Sequence, residues 1–272
     1  MIEGLNVRCN VGPLEVLRSP FLELVFRRRA VVSRATITVP DPEGEARAVL
    51  ATGQAVAVRW GYRGEAGFWQ EWEGTVEGID QPRADSSSAD AVTVHAVGRE
   101  KVLTTTDVTD SFYREPADVV ARRLLARTGL AVGAVDVPGD VLPYQVFSGV
   151  SVARAVRQLA YTLERSFGHD MSRHALWLGA SGLTWSDGDE PGDVYSVATA
   201  ENLLAHTPPQ ADGGTGVLVS VPLPGLTHSR LVHIRDARRS LDATVRALDV
   251  VHTFQESGNR TVITYGKDVG WS

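Results

Sequence analysis

Cysteine occurs once in 272 residues, as Cys9. A single thiol excludes an intrachain disulfide framework and any multi-cysteine zinc site, and it suits a reducing compartment. An excess of basic residues is missing as well: 27 Lys and Arg stand against 33 Asp and Glu, for a net charge of -6. That balance argues against a specific nucleic-acid binder, whose affinity would come from neutralising phosphates. No apolar run reaches the roughly 18 residues that would span a bilayer, so membrane insertion is not expected. The start, Met1-Ile2-Glu3-Gly4, lacks the basic region and apolar stretch of a secretory signal. A chain acting outside the cell is expected to leave by another route.

Several catalytic signatures are also missing. His169 and His174 lie five apart, as do His228 and His233, whereas a metal-binding helix needs i, i+4 spacing with a neighbouring Glu. These are read as surface or hydrogen-bonded core histidines. Gly213-Gly214-Thr215-Gly216 has no Lys-Ser/Thr after it, so it reads as a loop and not as a phosphate cradle. No Gly-x-Ser-x-Gly elbow occurs. Asp187, Asp189 and Glu190 crowd one turn without the oxygen spacing of a calcium loop, so a solvated acidic turn is expected. Neither a cofactor nor a metal is called for, and no enzymatic activity is expected.

What the chain does contain is a core-forming composition, 43% hydrophobic and 22% charged, at a length suited to about two domains. The first third reads as β: Leu14–Leu17, Phe21–Phe26, Ala35–Val39, Gln54–Trp60 and Ala91–Val97 are short apolar or alternating runs bounded by turn residues. Gly74 reads as a bulge or sharp bend. The middle changes period. Pro116 opens a helix carrying Val119, Val120, Leu124 and Leu125 and stopped by Gly129. Ser151 is a good N-cap for a second helix with Val152, Val156, Leu159 and Leu163 on one face and Gly168 at its end. The last third returns to β, with turns at Gly179–Gly182 and Glu256–Asn259. Leu241–Leu248 fits a helix or a strand equally well. The expected class is β-rich α+β, with two β-barrel domains around a helical and mixed segment: residues 1–105, 106–184 and 185–272. Val56–Trp60 and Leu231–Ile234 are expected in the barrel cores.

Four groups of residues carry functional readings. Arg27, Arg28 and Arg29 form the one dense basic run. A water-facing turn is the plain reading, and a protein interface is the functional one, because Arg is enriched at contacts. Asp85–Ser88 is a polar loop tip with the same possible role. An exposed row among Trp69, Trp72 and Trp177 would make a carbohydrate- or receptor-binding module, although burial is the commoner fate of tryptophan. Glu71 with Asp187 would be the pair of a cell-wall hydrolase, but no spacing supports it.

The order of features is more telling than any one of them. A Thr-Gly-Gln-Ala-Val-Ala-Val strand precedes the hairpin Phe68–Asp80 with its Gly-Thr-Val-Glu-Gly-Ile ending. A helix then ends at Thr128-Gly129-Leu130, and a second begins Ser151-Val152-Ala153-Arg154-Ala155-Val156. Ala175–Leu178 follows, and the Val250–Phe254 and Thr261–Tyr265 hairpin closes the succession. This succession resembles the baseplate hub proteins of phage tails and contractile injection systems. The resemblance implies two similar β-barrels per chain and a homotrimeric ring with quasi-sixfold symmetry. It further implies a hexameric tail tube protein on one face, a trimeric spike protein on the other, contacts to other baseplate proteins, and no catalytic residues. The implied place is a virion tail or a phage-tail-like particle assembled in the bacterial cytoplasm. With the last hairpin so near Ser272, the spike and any lytic activity are expected on separate chains.

Overall fold

The computed structural model describes residues 4–17, 19–62, 70–80, 90–211 and 213–267. The chain divides into two compact units. The first comprises Met1–Phe26, Ser33–Arg99 and Asp193–Gly266; the second comprises Arg27–Val32, Glu100–Gly192 and Lys267–Ser272.

The first unit is built of strands β1 (Leu5–Val11), β2 (Leu14–Val16), β3 (Phe21–Arg27), β4 (Arg34–Pro40), β5 (Ala55–Tyr62), β6 (Gln70–Asp80) and β7 (Ala91–Gly98), with the short helix α1 (Glu45–Val49). Asp41 fixes α1 by accepting from the amides of Ala46 and Arg47 and pairing with the Arg47 guanidinium at 2.7 Å. Period-2 alternation places Ala35, Ile37 and Val39 of β4, Val56, Val58 and Trp60 of β5, and Val92, Val94 and Ala96 of β7 inside. The outward face of β6 carries the ion pairs Arg59–Glu71, Arg99–Glu73 and Arg34–Glu77 and a hydrogen bond between His95 and Asp80.

The second unit holds α2 (Val102–Thr105), β8 (Asp107–Pro116), α3 (Ala117–Ala126), β9 (Val132–Val135), β10 (Val141–Ser151), α4 (Val152–Phe167), β11 (Ala175–Gly179) and β12 (Gly182–Ser186). Pro116 stands at the N-cap of α3. The Ser151 hydroxyl accepts from the Arg154 amide, and Gly168, at φ 77°, ends α4 in the left-handed conformation. β8 and β10 form a two-stranded ribbon, and β9, β12 and β11 form a small mixed sheet. Leu103, Val120, Leu124, Val156, Leu159, Leu163, Leu176 and Trp185 fill the core between them.

The chain then returns to the first unit as β13 (Tyr195–Ala198), β14 (Leu203–Thr207), β15 (Thr215–Ser220), β16 (Leu231–Asp236), β17 (Leu241–Gln255) and β18 (Arg260–Gly266). Leu241–Leu248 is therefore strand. β17 spends its first half on β16 and its second half on β18, with a register break between Ala247 and Asp249.

The structure is β-rich α+β as expected. The first and last β regions share one 13-stranded sheet, whose path runs from β14 to β2 through a β17–β3 junction. Because β3 pairs with β4 on one edge and β17 on the other, the N-terminal strands do not close through β3, and no closed barrel is described among these residues. Val56–Trp60 and Leu231–Ile234 contribute to one common core. At its centre Trp60 packs against His252 and Phe254, with ring centroids 5.4 and 6.1 Å away. Gly74 is no bulge. The break in β6 falls between Val76 and Gly78, and a Cβ at Gly74 would strike the Val97 carbonyl oxygen and the Trp72 ring.

Candidate assembly surfaces

The three arginines expected to act together are separated by the fold. Arg27 ends β3 and is exposed, and Arg29 is exposed in the following turn. Arg28 is completely buried in the second unit. Its guanidinium donates to the backbone carbonyls of Arg173 at 3.0 Å, Asp187 at 3.1 Å and Gly188 at 3.3 Å, and lies 5.5 Å from the centre of the Trp177 ring. It offers nothing to a partner chain. It stitches the Arg27–Val32 segment to the β11–β12 region, and Val31 enters the core beside it.

The acidic turn is only partly solvated. Asp189 is exposed, but Glu190 is buried, accepting from the Trp177 indole at 2.6 Å and the Ala180 amide at 3.0 Å. The Asp187 carbonyl is one of the Arg28 acceptors. Glu71 is exposed and held by Arg59. Trp60, Trp72, Trp177 and Trp185 are all buried, and the Trp72 indole donates to the Ser33 hydroxyl. A stacking row built on Trp72 and Trp177 is thereby removed. Trp69 and the Asp85–Ser88 tip lie outside the described residues.

The histidines are hydrogen-bonded. His169, His233 and His95 meet Asp140, Asp242 and Asp80, while His174 meets the Asp136 carbonyl. His228 pairs with the Ser229 hydroxyl. His206 bridges buried Asp236 and the Tyr265 hydroxyl, both at 2.7 Å. The hydrogen bond from His206 holds the Asp236 carboxyl below its usual range. His252 is sealed in the core between the Thr261 hydroxyl and the Leu226 carbonyl, and burial lowers its pKa to about 4. Burial pushes the Cys9 thiol up to about 12, so it is no nucleophile. Among the described residues no group of three or more His, Cys, Asp or Glu is arranged to hold a metal. Gly213 and Gly214 precede β15 and Gly216 lies within it, close under the Tyr265 ring.

A surface that the sequence reading did not single out lies on the β8–β10 ribbon. Phe112 and Phe147 point inward with ring centroids 6.1 Å apart, so their neighbours point out. Tyr113 and Tyr144 stand directly opposite each other across the ribbon, each 65% exposed, and Val146, paired with Ser111 two positions along, is exposed on the same face. The Arg114 guanidinium lies 5.3 Å from the centre of the Tyr113 ring. The available signal was the alternation Ser111-Phe112-Tyr113 against Tyr144-Gln145-Val146-Phe147, which puts one aromatic set on each face.

No family model matches the chain, and no curated protein matches it. Solved structures do. Over 98% of both chains it superposes on a tail protein from Neisseria meningitidis MC58, with a TM-score of 0.69 at 12% identity. The 43 kDa tail protein of prophage MuSo2 from Shewanella oneidensis matches over 97% of both chains, with a TM-score of 0.68 at 11% identity. An Escherichia coli component of the type VI secretion system, described as structurally similar to the T4 bacteriophage tail proteins gp27 and gp5, covers 99% of this chain and 77% of its own. Its TM-score is 0.60 at 12% identity. The chain has the fold of these tail proteins and of this secretion-system component.

Proposed function

We propose that this protein is a structural hub of a phage tail or related injection machine: a homotrimeric ring that adapts a hexameric tail tube to a trimeric spike and has no catalytic role. The observation that carries the reading is the end-to-end likeness to tail proteins, with nothing substantial left over on either side. Within a chain, two β-rich regions, residues 1–105 and 185–272, flank a mixed segment, 106–184. Three copies would supply six β-rich parts to the tube and three chains to the spike. Other baseplate proteins would contact the rim, with exposed Arg27 and Arg29 as candidate contacts. Assembly in the bacterial cytoplasm and residence in the virion tail follow from the same reading.

A head-to-tail contact between identical chains closes into a ring when its rotation fits, which also covers edges that would otherwise be free. Mass photometry of the full chain is expected to give a particle of three times the 29.3 kDa chain mass, and negative-stain images should show threefold rings. A monomer at every concentration tested overturns the reading.

A further inference from the structure

The tyrosines divide sharply between the two units. In the first unit, the Tyr62 and Tyr195 hydroxyls donate to the Pro222 and Pro224 carbonyls, and Tyr265 is held by His206. In the second unit Tyr113, Tyr144 and Tyr161 are 65%, 65% and 59% exposed, and their hydroxyls make no hydrogen bond among the described residues. Two of them form the facing pair on the β8–β10 ribbon, beside Val146 and under Arg114. Arg114 itself takes a left-handed backbone conformation, φ 52°, and its side chain is exposed with only the Tyr113 ring as a partner among the described residues. Tyrosine and arginine are the residues on which binding energy concentrates, and an exposed aromatic patch around an uncompensated cation is suited to an acidic partner.

Charge indicates which partner. Over the sequence of the second unit, acidic and basic residues are equal in number, so the whole net charge of -6 falls on the first unit. We infer that the Tyr113–Tyr144 face of the β8–β10 ribbon docks on a second copy of this chain, against the acidic first unit of that copy. The inference rests on the ring reading above and names the surface that would hold the ring together. Each tyrosine exposes on the order of 100–160 Å², and with Val146 the patch supplies roughly a third to a half of the ~800 Å² per partner that a stable interface buries. It is therefore the centre of a larger contact.

The test places the photo-cross-linker p-benzoylphenylalanine at Tyr144 in the full chain. Irradiation is expected to join chain to chain, with acceptor peptides from residues 4–26, 33–99 or 193–266 and the yield cut by Arg114→Glu. Tyr113→Ser with Tyr144→Ser should weaken self-association at least about tenfold with an unchanged thermal melt, since both side chains are exposed. Trimers unaffected by the double substitution and not joined through position 144 would overturn the ribbon while leaving the ring intact. Acceptors confined to the second unit would overturn the charge pairing and the proposal with it. A wild-type monomer at all concentrations overturns the ring, and the ribbon's occupant falls with it.

Discussion

A guanidinium taken out of water must find its hydrogen bonds inside the chain or cost several kcal/mol. Arg28 finds three backbone carbonyls and an indole face, and those carbonyls have the guanidinium as their donor. Arg28→Met keeps the stem and orphans the acceptors, at an expected cost of about 2–4 kcal/mol in urea unfolding. Arg28→Lys should recover only part of this, because one ammonium cannot replace a planar fork. His252 makes a separate residue-scale prediction. Its folded pKa of about 4 lies below the unfolded 6.5, so the neutral ring's stability is fully present above pH 6.5 and is lost as pH falls towards 4. The loss is about 3 kcal/mol. His252→Phe should lower the stability at neutral pH yet flatten its pH dependence between 6.5 and 4. A wild-type slope in the variant would show that other groups carry the effect. Neither role was legible in the sequence. A run of three arginines reads as surface because charged side chains are rarely fully buried, and a lone histidine shows nothing of the rings that surround it.

At the scale of elements, end signals were the most legible feature. Ser151, Gly168 and Pro116 mark α4 and α3 as written, because capping chemistry is local and needs no tertiary partner. Ser151→Ala is expected to cost about 1 kcal/mol and Gly168→Ala a similar amount, measured as shifts in the urea midpoint. Gly74→Ala is expected to be worse than either, about 1–3 kcal/mol, since its Cβ would meet the Val97 carbonyl and the Trp72 ring rather than solvent. The Leu241–Leu248 stretch stayed ambiguous for an identifiable reason. Ala247 and Leu248 are buried in succession at the register break, so the alternation that marks a strand fails where β17 changes partner. The exposed tyrosine pair was hidden in the same way, because an outward aromatic on a ribbon has the pattern of an inward one shifted by a single residue.

At the scale of the molecule, the chain visits its second unit twice before the last β region. Arg27–Val32 enters it between β3 and β4, long before Glu100–Gly192 supplies the rest. A boundary drawn along the sequence cannot show this, since a six-residue segment that opens on three arginines reads as an ordinary water-facing turn between two strands. The consequence concerns folding autonomy. A fragment of residues 100–192 keeps α3, α4, the ribbon and the β9–β12–β11 sheet, but it lacks Arg28 and Val31. The carbonyls of Arg173, Asp187 and Gly188 then lose their donor, and the core has a gap where Val31 sat. Together these omissions are worth about 3–5 kcal/mol, and at about 4–8 °C per kcal/mol for a domain of this size the fragment should melt at least 10 °C below the same unit in the full chain. Fluorescence of Trp177 and Trp185, both inside the fragment and both buried, reports the transition. Equal melting of fragment and full chain would mean that the Arg27–Val32 segment rests on the second unit without supporting it.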